Sequence, residues 1–404
     1  MSIEFSELKI TVSELKLGMY VVRLDRPWSE TSFLMQGFIL DDLGIIDDLA
    51  RQCKFVYIEG RSESPLKSAL HTLPRGKNKT VYINKISMEN EISRSNSSYS
   101  SAKKTVESIM DGIRIGRMVD MNKARTAVND IVDGILRNKD ALAWLTKIKN
   151  KDEYTAEHSL NVSILSATFA RHLGHDEADI KKIALGGLLH DVGKARVPTE
   201  ILNKEGRFTD EEYDIMKQHP LFGRNLLMSM SIQDHSSIDI AHCHHERIDG
   251  QGYPRKLKET QIPYFAKIVA IVDTYDAITS NRCYDKGRAS MEALGIIFKC
   301  KGTQFDAELV TEFIQCIGIY PPGSIVELKN GEVGIVIETN DHHRLKPRIL
   351  LVLDSNKKEQ SQKIVNLNSP MITDKSVQIC NEIINGTYGV WIEDYLKRGL
   401  LLKN

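Results

Sequence analysis

The chain has 404 residues, and its 54 basic and 54 acidic side chains give a formal net charge of zero. This balance argues against a general binder of nucleic acid or of acidic membranes, which needs a basic surplus, but it leaves room for a local cationic pocket. The length is that of two or three domains, each able to bury its own core.

Compartment signals are those of a cytoplasmic protein. No apolar run approaches the roughly 20 residues of a membrane-spanning helix, and residues 1–5 lack the charged and apolar regions that open a signal peptide. The six cysteines are scattered without a Cys-x-x-Cys pair, which is typical of reduced thiols rather than of a disulfide framework. We therefore expect a cytoplasmic protein that binds neither nucleic acid nor membrane.

Residues 1–60 are predicted to form a small α+β module. Short β-branched or aromatic runs at 21–22, 38–40 and 55–58 predict strands, and apolar side chains at helical spacing within 41–54 predict one short helix. Residues 61–101 are polar, with six serines between positions 93 and 101, and this composition predicts a linker. From 102 to 148 helical spacing returns and predicts connecting helices.

Residues 149–320 are predicted to form a helical domain, because apolar positions keep helical spacing between breaks at proline and glycine. Thr209 and Glu212 form the pattern of a capping box, which predicts the start of a helix leading to His219. Residues 321–404 are predicted to be a β-rich extension and tail, with a hairpin at Asn330-Gly331. The predicted fold class is mainly α, with a helical bundle between two smaller modules.

Five histidines and two aspartates stand out between positions 158 and 273. They are His158, His190, Asp191, His219, His244, His245 and Asp273. Each alone has an ordinary explanation, such as a core histidine or an aspartate that caps a helix. Together, four predicted helices each supply imidazole or carboxylate from an apolar face, which is how helix bundles form metal sites. A buried Asp273 is also unfavourable unless it is paired or bound to a metal.

The types of ligand indicate which metal ions the site would bind and which reaction they would catalyse. Mixed imidazole and carboxylate ligands suit Fe, Mn or Zn better than Mg or Ca, which prefer oxygen alone. Two such ions close together are a known device for hydrolysing phosphate esters. The sequence therefore predicts a two-metal hydrolytic site.

Four motifs stand out in this region: His190-Asp191-Val192-Gly193-Lys194, His244-His245-Glu246, Asp-Gly-Gln-Gly-Tyr-Pro at 249–254 and Asp-Thr-Tyr-Asp-Ala-Ile-Thr-Ser at 273–280. Together they resemble the HD-GYP family of cyclic dinucleotide phosphodiesterases, within the wider HD phosphohydrolases. The resemblance covers residues 150–320 and the strand-rich extension at 320–354, and implies an all-helical metal-binding bundle of the HD type. Residues 15–28 are similar to a module of unknown function that often precedes HD-GYP domains.

The resemblance implies that the seven residues hold two iron or manganese ions, with Asp191 bridging them. Glu153 lies near the position where some members hold a glutamate that binds a third ion; its ordinary explanation is an exposed acid in the first turn of a helix. Lys194 is expected to contact a phosphate or leaving oxygen, so Asp191 and Lys194 are the expected catalytic residues. Expected substrate contacts come from Lys194, Gly252, Tyr253, Pro254, Asp276, Ala277, Arg282 and Lys286.

The implied reaction is hydrolysis of cyclic di-GMP to pGpG, GMP or both, by hydroxide that two metal ions activate. One alternative is a phosphodiesterase for 3′,3′-cyclic GMP–AMP. Another is a low-activity sensor or scaffold that binds GGDEF-domain partners through residues 249–254. Asp276 either orders the site from behind or receives a guanine edge. The N-terminal module is expected to regulate the enzyme or to mediate a homodimer.

Overall fold

The computed structural model describes residues 6–17, 19–26, 31, 38–40, 43–60, 80–148, 154–204, 206–229, 235–280, 287–340, 343, 345–372, 374 and 376–397. The chain divides into two compact units, one formed by residues 1–77 with 340–345 and the other by residues 78–339 with 346–404. Within the described ranges, no helix combines the length and the apolar character needed to cross a membrane.

The first unit contains an antiparallel sheet and one helix. The elements are β1 (Ser6–Thr11), β2 (Tyr20–Leu24), β3 (Phe38–Ile39), β4 (Phe55–Gly60) and α1 (Leu43–Gln52). The strand order is β1-β4-β2-β3. Val21, Leu40, Leu49 and Val56 are fully buried in its core. The predicted α+β module is confirmed.

The second unit is mainly helical, as predicted. Its helices are α2 (Met88–Arg114), α3 (Met121–Arg137), α4 (Lys139–Leu145), α5 (Tyr154–Leu173), α6 (Glu177–Leu189), α7 (Thr199–Leu202), α8 (Asp210–Met216), α9 (His219–Ser229), α10 (His235–Cys243), α11 (Tyr264–Thr279), α12 (Ser290–Lys299), α13 (Ala307–Ile317) and α14 (Ile392–Lys397). Side-chain caps set several helix starts, because Asp120, Asn138 and Asp176 each accept a hydrogen bond from a main-chain N–H of the first turn.

The serine-rich segment is a helix and not a linker. Residues 88–101 lie in α2, so the linker predicted over 61–101 is wrong for that part, while 61–79 lie outside the described residues. Met88, Ile92, Ser95, Tyr99 and Ala102 are buried at helical spacing. Most of the serines occupy the other faces of the helix, where a small polar side chain is tolerated. The high serine content suggested a linker, although the apolar residues of this segment recur at helical spacing.

The predicted capping box at Thr209 and Glu212 is confirmed at the start of α8. His219, however, does not end that helix: α8 ends at Met216, and His219 opens α9. Pro220 fits there because the first turn of a helix needs no intrahelical N–H donor.

The C-terminal part of the second unit is a five-stranded antiparallel sheet in the order β8-β7-β6-β5-β9. The strands are β5 (Ile325–Leu328), β6 (Val333–Glu338), β7 (Arg348–Leu353), β8 (Glu359–Asn366) and β9 (Ile379–Ile383). The predicted turn at Asn330-Gly331 joins β5 to β6, and Gly331 has the positive φ of 87° that such turns need. The sequence analysis did not predict β8 and β9. Neither strand is buried, so neither shows the apolar pattern that predicts a strand.

Close helix packing brings the predicted ligands together. A Cβ atom on Gly187 of α6 would lie 3.2 Å from Ser163 Cα of α5, and one on Gly186 would lie 2.1 Å from Ile240 Cδ1 of α10. Because glycine occupies both positions, α6 lies directly against α5 and α10. The end of α6, which carries His190 and Asp191, therefore reaches the helices that carry the other ligands.

Candidate metal centre

The seven predicted ligands lie in two adjoining groups in the second unit. One group is Asp191, His219, His244 and His245, and the other is His158, His190 and Asp273; the ligand atoms of each group lie within 4.8 Å of one another.

Asp191 lies between the two groups. Its Oδ2 is 3.2 Å from His190 Nε2 and 3.7 Å from His158 Nε2, whereas its Oδ1 is 3.3 Å from His219 Nε2. Each oxygen of this carboxylate thus faces a different group.

Three histidines at helix ends are oriented by main-chain carbonyls. His190 Nδ1 is 2.7 Å from the carbonyl oxygen of Gly187, and His219 Nδ1 is 2.8 Å from that of Met216. His244 Nδ1 is 3.1 Å from the carbonyl oxygens of Ile240 and Ala241. Because a carbonyl only accepts, each Nδ1 carries the proton and each Nε2 presents a lone pair to the centre.

His158 lies within α5 and is oriented by a side chain. Its Nδ1 is 2.8 Å from Asp276 Oδ2, and its Nε2 is 3.0 Å from Asp273 Oδ1. Asp276 also accepts hydrogen bonds from Asn161 Nδ2 at 3.4 Å and from the Ser280 hydroxyl at 3.2 Å. It is only 1% exposed.

Gly193 sets the position of the His190-Asp191 turn. A Cβ at this residue would lie 2.0 Å from the carbonyl oxygen of His219 and 2.5 Å from the Gly223 amide nitrogen. Only glycine therefore lets the short 3-10 helix Val192–Arg196 pack against the start of α9. This contact joins Asp191 to His219.

The charges of the site favour bound cations. Burial lowers the pKa of His219 to about 3 and that of His245 to about 4, so both imidazoles are neutral at pH 7 and can act as ligands. Burial opposes the charge of Asp191, but His190 and Lys194 hold the pKa of this carboxyl well below its usual value. Burial likewise opposes a charged His158, yet Asp273 and Asp276 raise its pKa to about 9, a preference for positive charge that a metal cation also satisfies.

Two buried polar atoms at this centre lie in surroundings that suit metal ligands. His190 Nε2 and Asp191 Oδ1 have no partner in hydrogen-bonding geometry among the described residues. Buried polar atoms are otherwise nearly always hydrogen-bonded. An imidazole lone pair and a carboxylate oxygen left in this way, within a cluster of further imidazoles, fit a site for transition-metal ions.

The loop that contains residues 249–254 lies beside this centre. Tyr253 stacks on His245 with ring centroids 4.7 Å apart, and its N–H donates to the His245 carbonyl at 3.2 Å. A Cβ on Gly252 would lie 2.4 Å from the Arg247 nitrogen, so glycine is required there. The Glu246 carboxylate accepts hydrogen bonds from the main-chain N–H groups of Arg255 and Leu257 at 2.7 and 2.9 Å.

The other predicted site residues have varied positions. Lys194 Nζ lies 2.5 Å from Asp191 Oδ2, and Ala277 is partly exposed one helical turn after Asp273. Pro254 follows Tyr253 in the loop beside the centre. Glu153, Arg282 and Lys286 lie outside the described residues.

Sequence reasoning missed the supporting role of Asn161 and assigned none to Glu246. Asn161 is three residues after His158, on the same helical face, and a polar residue on that apolar face was the available signal.

Family models match three parts of the chain. An HD domain matches residues 140–309, a domain of unknown function named DUF3391 matches residues 7–124, and a KOW domain associated with the HD domain matches residues 325–384. The predicted N-terminal module of unknown function is confirmed. The DUF3391 match includes all of α2, which nonetheless packs within the second unit.

Curated relatives share the whole chain or its central part. The chain is 34% identical over 381 residues to a cyclic di-GMP phosphodiesterase of Pseudomonas aeruginosa, with 91% of each protein covered. It is 40% identical over 166 residues to a cyclic di-GMP phosphodiesterase of Thermotoga maritima, which covers 41% of this chain and 45% of that protein. It is also 34% identical over 157 residues to a 3′3′-cGAMP-specific phosphodiesterase of Vibrio cholerae, which covers 39% of this chain and 36% of that protein.

Proposed function

Because this chain belongs to the HD-GYP family of cyclic dinucleotide phosphodiesterases, we propose that it hydrolyses cyclic di-GMP at the cluster around Asp191. The observation that carries the proposal is the position of this buried carboxylate, whose two oxygens face two separate groups of ligands. A single carboxylate so placed is suited to bridge two metal ions.

The ligand set would hold two ions. Asp191, His219, His244 and His245 would bind one of them, and His158, His190 and Asp273, with Asp191, would bind the other. Five imidazoles and two carboxylates favour Fe, Mn or Zn, and the family resemblance favours Fe or Mn. A pair of such ions supplies water activation at neutral pH and neutralisation of phosphate charge.

We propose two ions rather than three. Ligands on one helical face recur every three or four residues, and the residue four positions before His158 on α5 is Tyr154. Glu153 precedes His158 by five residues in the sequence, a spacing that does not match this recurrence. In addition, the neighbouring Glu157 is paired with Lys103 at 2.6 Å.

Lys194 is placed to serve the reacting phosphate. Its ammonium group contacts the buried Asp191, but its side chain is 22% exposed and so extends from the metal ligands toward solvent. A point charge in this position would stabilise negative charge on a phosphate or leaving oxygen. Asp276 fits a supporting role better than a guanine contact, because both of its oxygens accept hydrogen bonds within the protein.

Tyr253 gives the site an aromatic and hydroxyl-bearing wall, since its ring lies against the ligand His245. Substrate contacts from Gly252, Pro254, Ala277, Arg282 and Lys286 stay predictions. Binding of a GGDEF partner through residues 249–254 and homodimer formation through the N-terminal module also stay predictions.

A second candidate substrate is 3′,3′-cyclic GMP–AMP, which the similarity to the Vibrio cholerae enzyme favours. Both substrates carry two phosphodiesters and at least one guanine, so the same metal chemistry would cleave either one.

The test is hydrolysis by the full chain after anaerobic reconstitution with Fe(II) or Mn(II). We expect two bound ions per chain, cleavage of cyclic di-GMP and a slower rate with 3′,3′-cyclic GMP–AMP. Asp191→Asn should lose metal and reduce activity by at least about 1,000-fold, because it removes the bridging charge. Asp111→Asn, an exposed position on α2, is the matched control and should change neither. If the metal-loaded protein binds the dinucleotide without cleaving it, the proposed enzymatic function is wrong and the sensor function is favoured.

A further inference from the structure

Helix α2 contacts the turn of α5 that carries His158. The Tyr99 hydroxyl is 3.1 Å from Asn161 Oδ1, and Lys103 Nζ is 2.6 Å from Glu157 Oε1. Tyr99 and Lys103 lie one helical turn apart, and their two partners stand on either side of His158 in the sequence. Helix α2 therefore holds this turn at two points.

One of these contacts continues to the metal ligand. Asn161 Nδ2 is 3.4 Å from Asp276 Oδ1, and Asp276 Oδ2 is 2.8 Å from His158 Nδ1. Because a carboxylate only accepts hydrogen bonds, the Asn161 amide must turn its NH₂ group toward Asp276. Its oxygen then faces Tyr99, so the tyrosine hydroxyl is the donor. The order of donation is Tyr99 to Asn161, Asn161 to Asp276, and His158 to Asp276.

The chain of contacts is shielded from solvent. Tyr99, Asn161, Asp276 and His158 are 8%, 1%, 1% and 3% exposed. Solvent is therefore poorly placed to replace a lost partner, and the orientation of each side chain depends on the next.

We propose that Tyr99 is a positioning residue for His158, acting through Asn161 and Asp276, and that helix α2 is thereby a functional part of the metal centre. This inference rests on the proposed metal site. The HD-domain match begins at residue 140, so the proposal assigns a role at the site to a residue that lies before that match and within the DUF3391 match.

Loss of the tyrosine hydroxyl should act through the Asn161 amide. Without its donor, the amide oxygen loses its partner, and the direction of the amide then depends on the long hydrogen bonds from its NH₂ group to Asp276 Oδ1 at 3.4 Å and to the Thr146 carbonyl at 3.5 Å. A flipped amide would turn its oxygen toward the Asp276 carboxylate. The resulting repulsion would shift Asp276 and loosen the hydrogen bond that orients His158.

The test compares Tyr99→Phe with Tyr82→Phe in the full chain. Tyr82 donates its hydroxyl to the His175 carbonyl at 3.0 Å, so each variant loses one hydroxyl and the hydrogen bond that it donates to an oxygen of the second unit. Thermal unfolding without metal and Mn(II) affinity are measured for both. We expect similar small losses of thermal stability, but a Mn(II) affinity weakened about threefold to tenfold in Tyr99→Phe alone. Equal Mn(II) affinities in both variants and the wild type would overturn the inference.

A double variant separates positioning from a general structural effect. If Tyr99 acts through Asp276, Tyr99→Phe should weaken Mn(II) binding in the wild type but not further in an Asp276→Asn background. Additive losses of Mn(II) affinity in the double variant would contradict the proposed route through Asp276, even if Tyr99→Phe alone bound Mn(II) more weakly than the wild type. A wild-type protein that binds no Mn(II) would instead overturn the metal centre itself, which distinguishes the two failures.

Discussion

The histidines at helix ends and the histidine within α5 are oriented in different ways. His190, His219 and His244 each donate to a carbonyl three or four residues earlier in their own turn. Within α5, carbonyl groups are engaged in helical hydrogen bonds, and His158 instead donates to Asp276, 118 residues later. The orientations of these three histidines are thus local, whereas that of His158 depends on tertiary packing.

This difference predicts where the centre is robust. A main-chain acceptor stays in place as long as the helix end does, and surface substitutions leave it intact. A side-chain acceptor requires that α11, α5 and α2 all keep their positions, because Asp276, Asn161 and Tyr99 come from these three helices. The group around His158 is therefore the part of the centre that responds most to distant changes.

Among substitutions outside the metal ligands, the largest effect should come from displacing the turn that carries the locally oriented His190. In Gly193→Ala, the new Cβ would lie within 2.5 Å of main-chain atoms of both His219 and Gly223, so the His190-Asp191 turn must move away from α9. We expect loss of metal and at least about a 100-fold fall in kcat/KM, since a displacement of about 1 Å has this effect at a catalytic group. Metal analysis and steady-state kinetics measure both.

Gly295→Ala is the control for this change. Gly295 lies in α12, and apart from its own helix backbone and chain neighbours no heavy atom of the described residues lies within 4 Å of its added Cβ, so alanine should be tolerated there or should slightly stabilise the helix. Full metal content in Gly193→Ala would show that the centre does not depend on that main-chain contact.

A smaller effect is expected when the side-chain acceptor is weakened. Asp276→Asn keeps the shape but removes the charge that holds His158 Nδ1, and metal affinity should fall about tenfold to 100-fold. Titration with Mn(II) measures the change. Asp306→Asn, at a buried aspartate that caps α13, is the matched control and should lower stability without changing metal affinity. Equal metal affinity in Asp276→Asn and wild type would mean that the negative charge beside His158 does not contribute to metal binding.

The same distinction explains what the sequence could predict. The fold class, the N-terminal α+β module and the grouping of the seven ligands follow from helical spacing and motifs, because the locally oriented histidines are encoded within a few consecutive residues. The contacts of Asn161 and Tyr99 could not be predicted, since they depend on how α2 packs against α5. The linker prediction failed at the same place: serine content outweighed the apolar stripe of Ile92, Tyr99 and Ala102.

The smallest effect should come from the loop beside the centre, where a carboxylate holds main-chain groups 9 and 11 residues later in the sequence. Glu246 accepts hydrogen bonds from two main-chain N–H groups, and Glu246→Gln leaves only one acceptor oxygen for them. We expect KM for cyclic di-GMP to rise about threefold to tenfold, the equivalent of one weakened charged hydrogen bond, with kcat and metal content unchanged.

Asp354→Asn is the control for Glu246→Gln, because Asp354 Oδ1 accepts two main-chain N–H bonds at 2.9 Å each in the turn between β7 and β8. It should leave KM unchanged. A fall in metal content in Glu246→Gln would contradict the separation of loop and centre, since it would mean that His244 and His245 depend on this loop for their positions. An unchanged KM would show instead that the loop, including Tyr253, adds little to substrate binding.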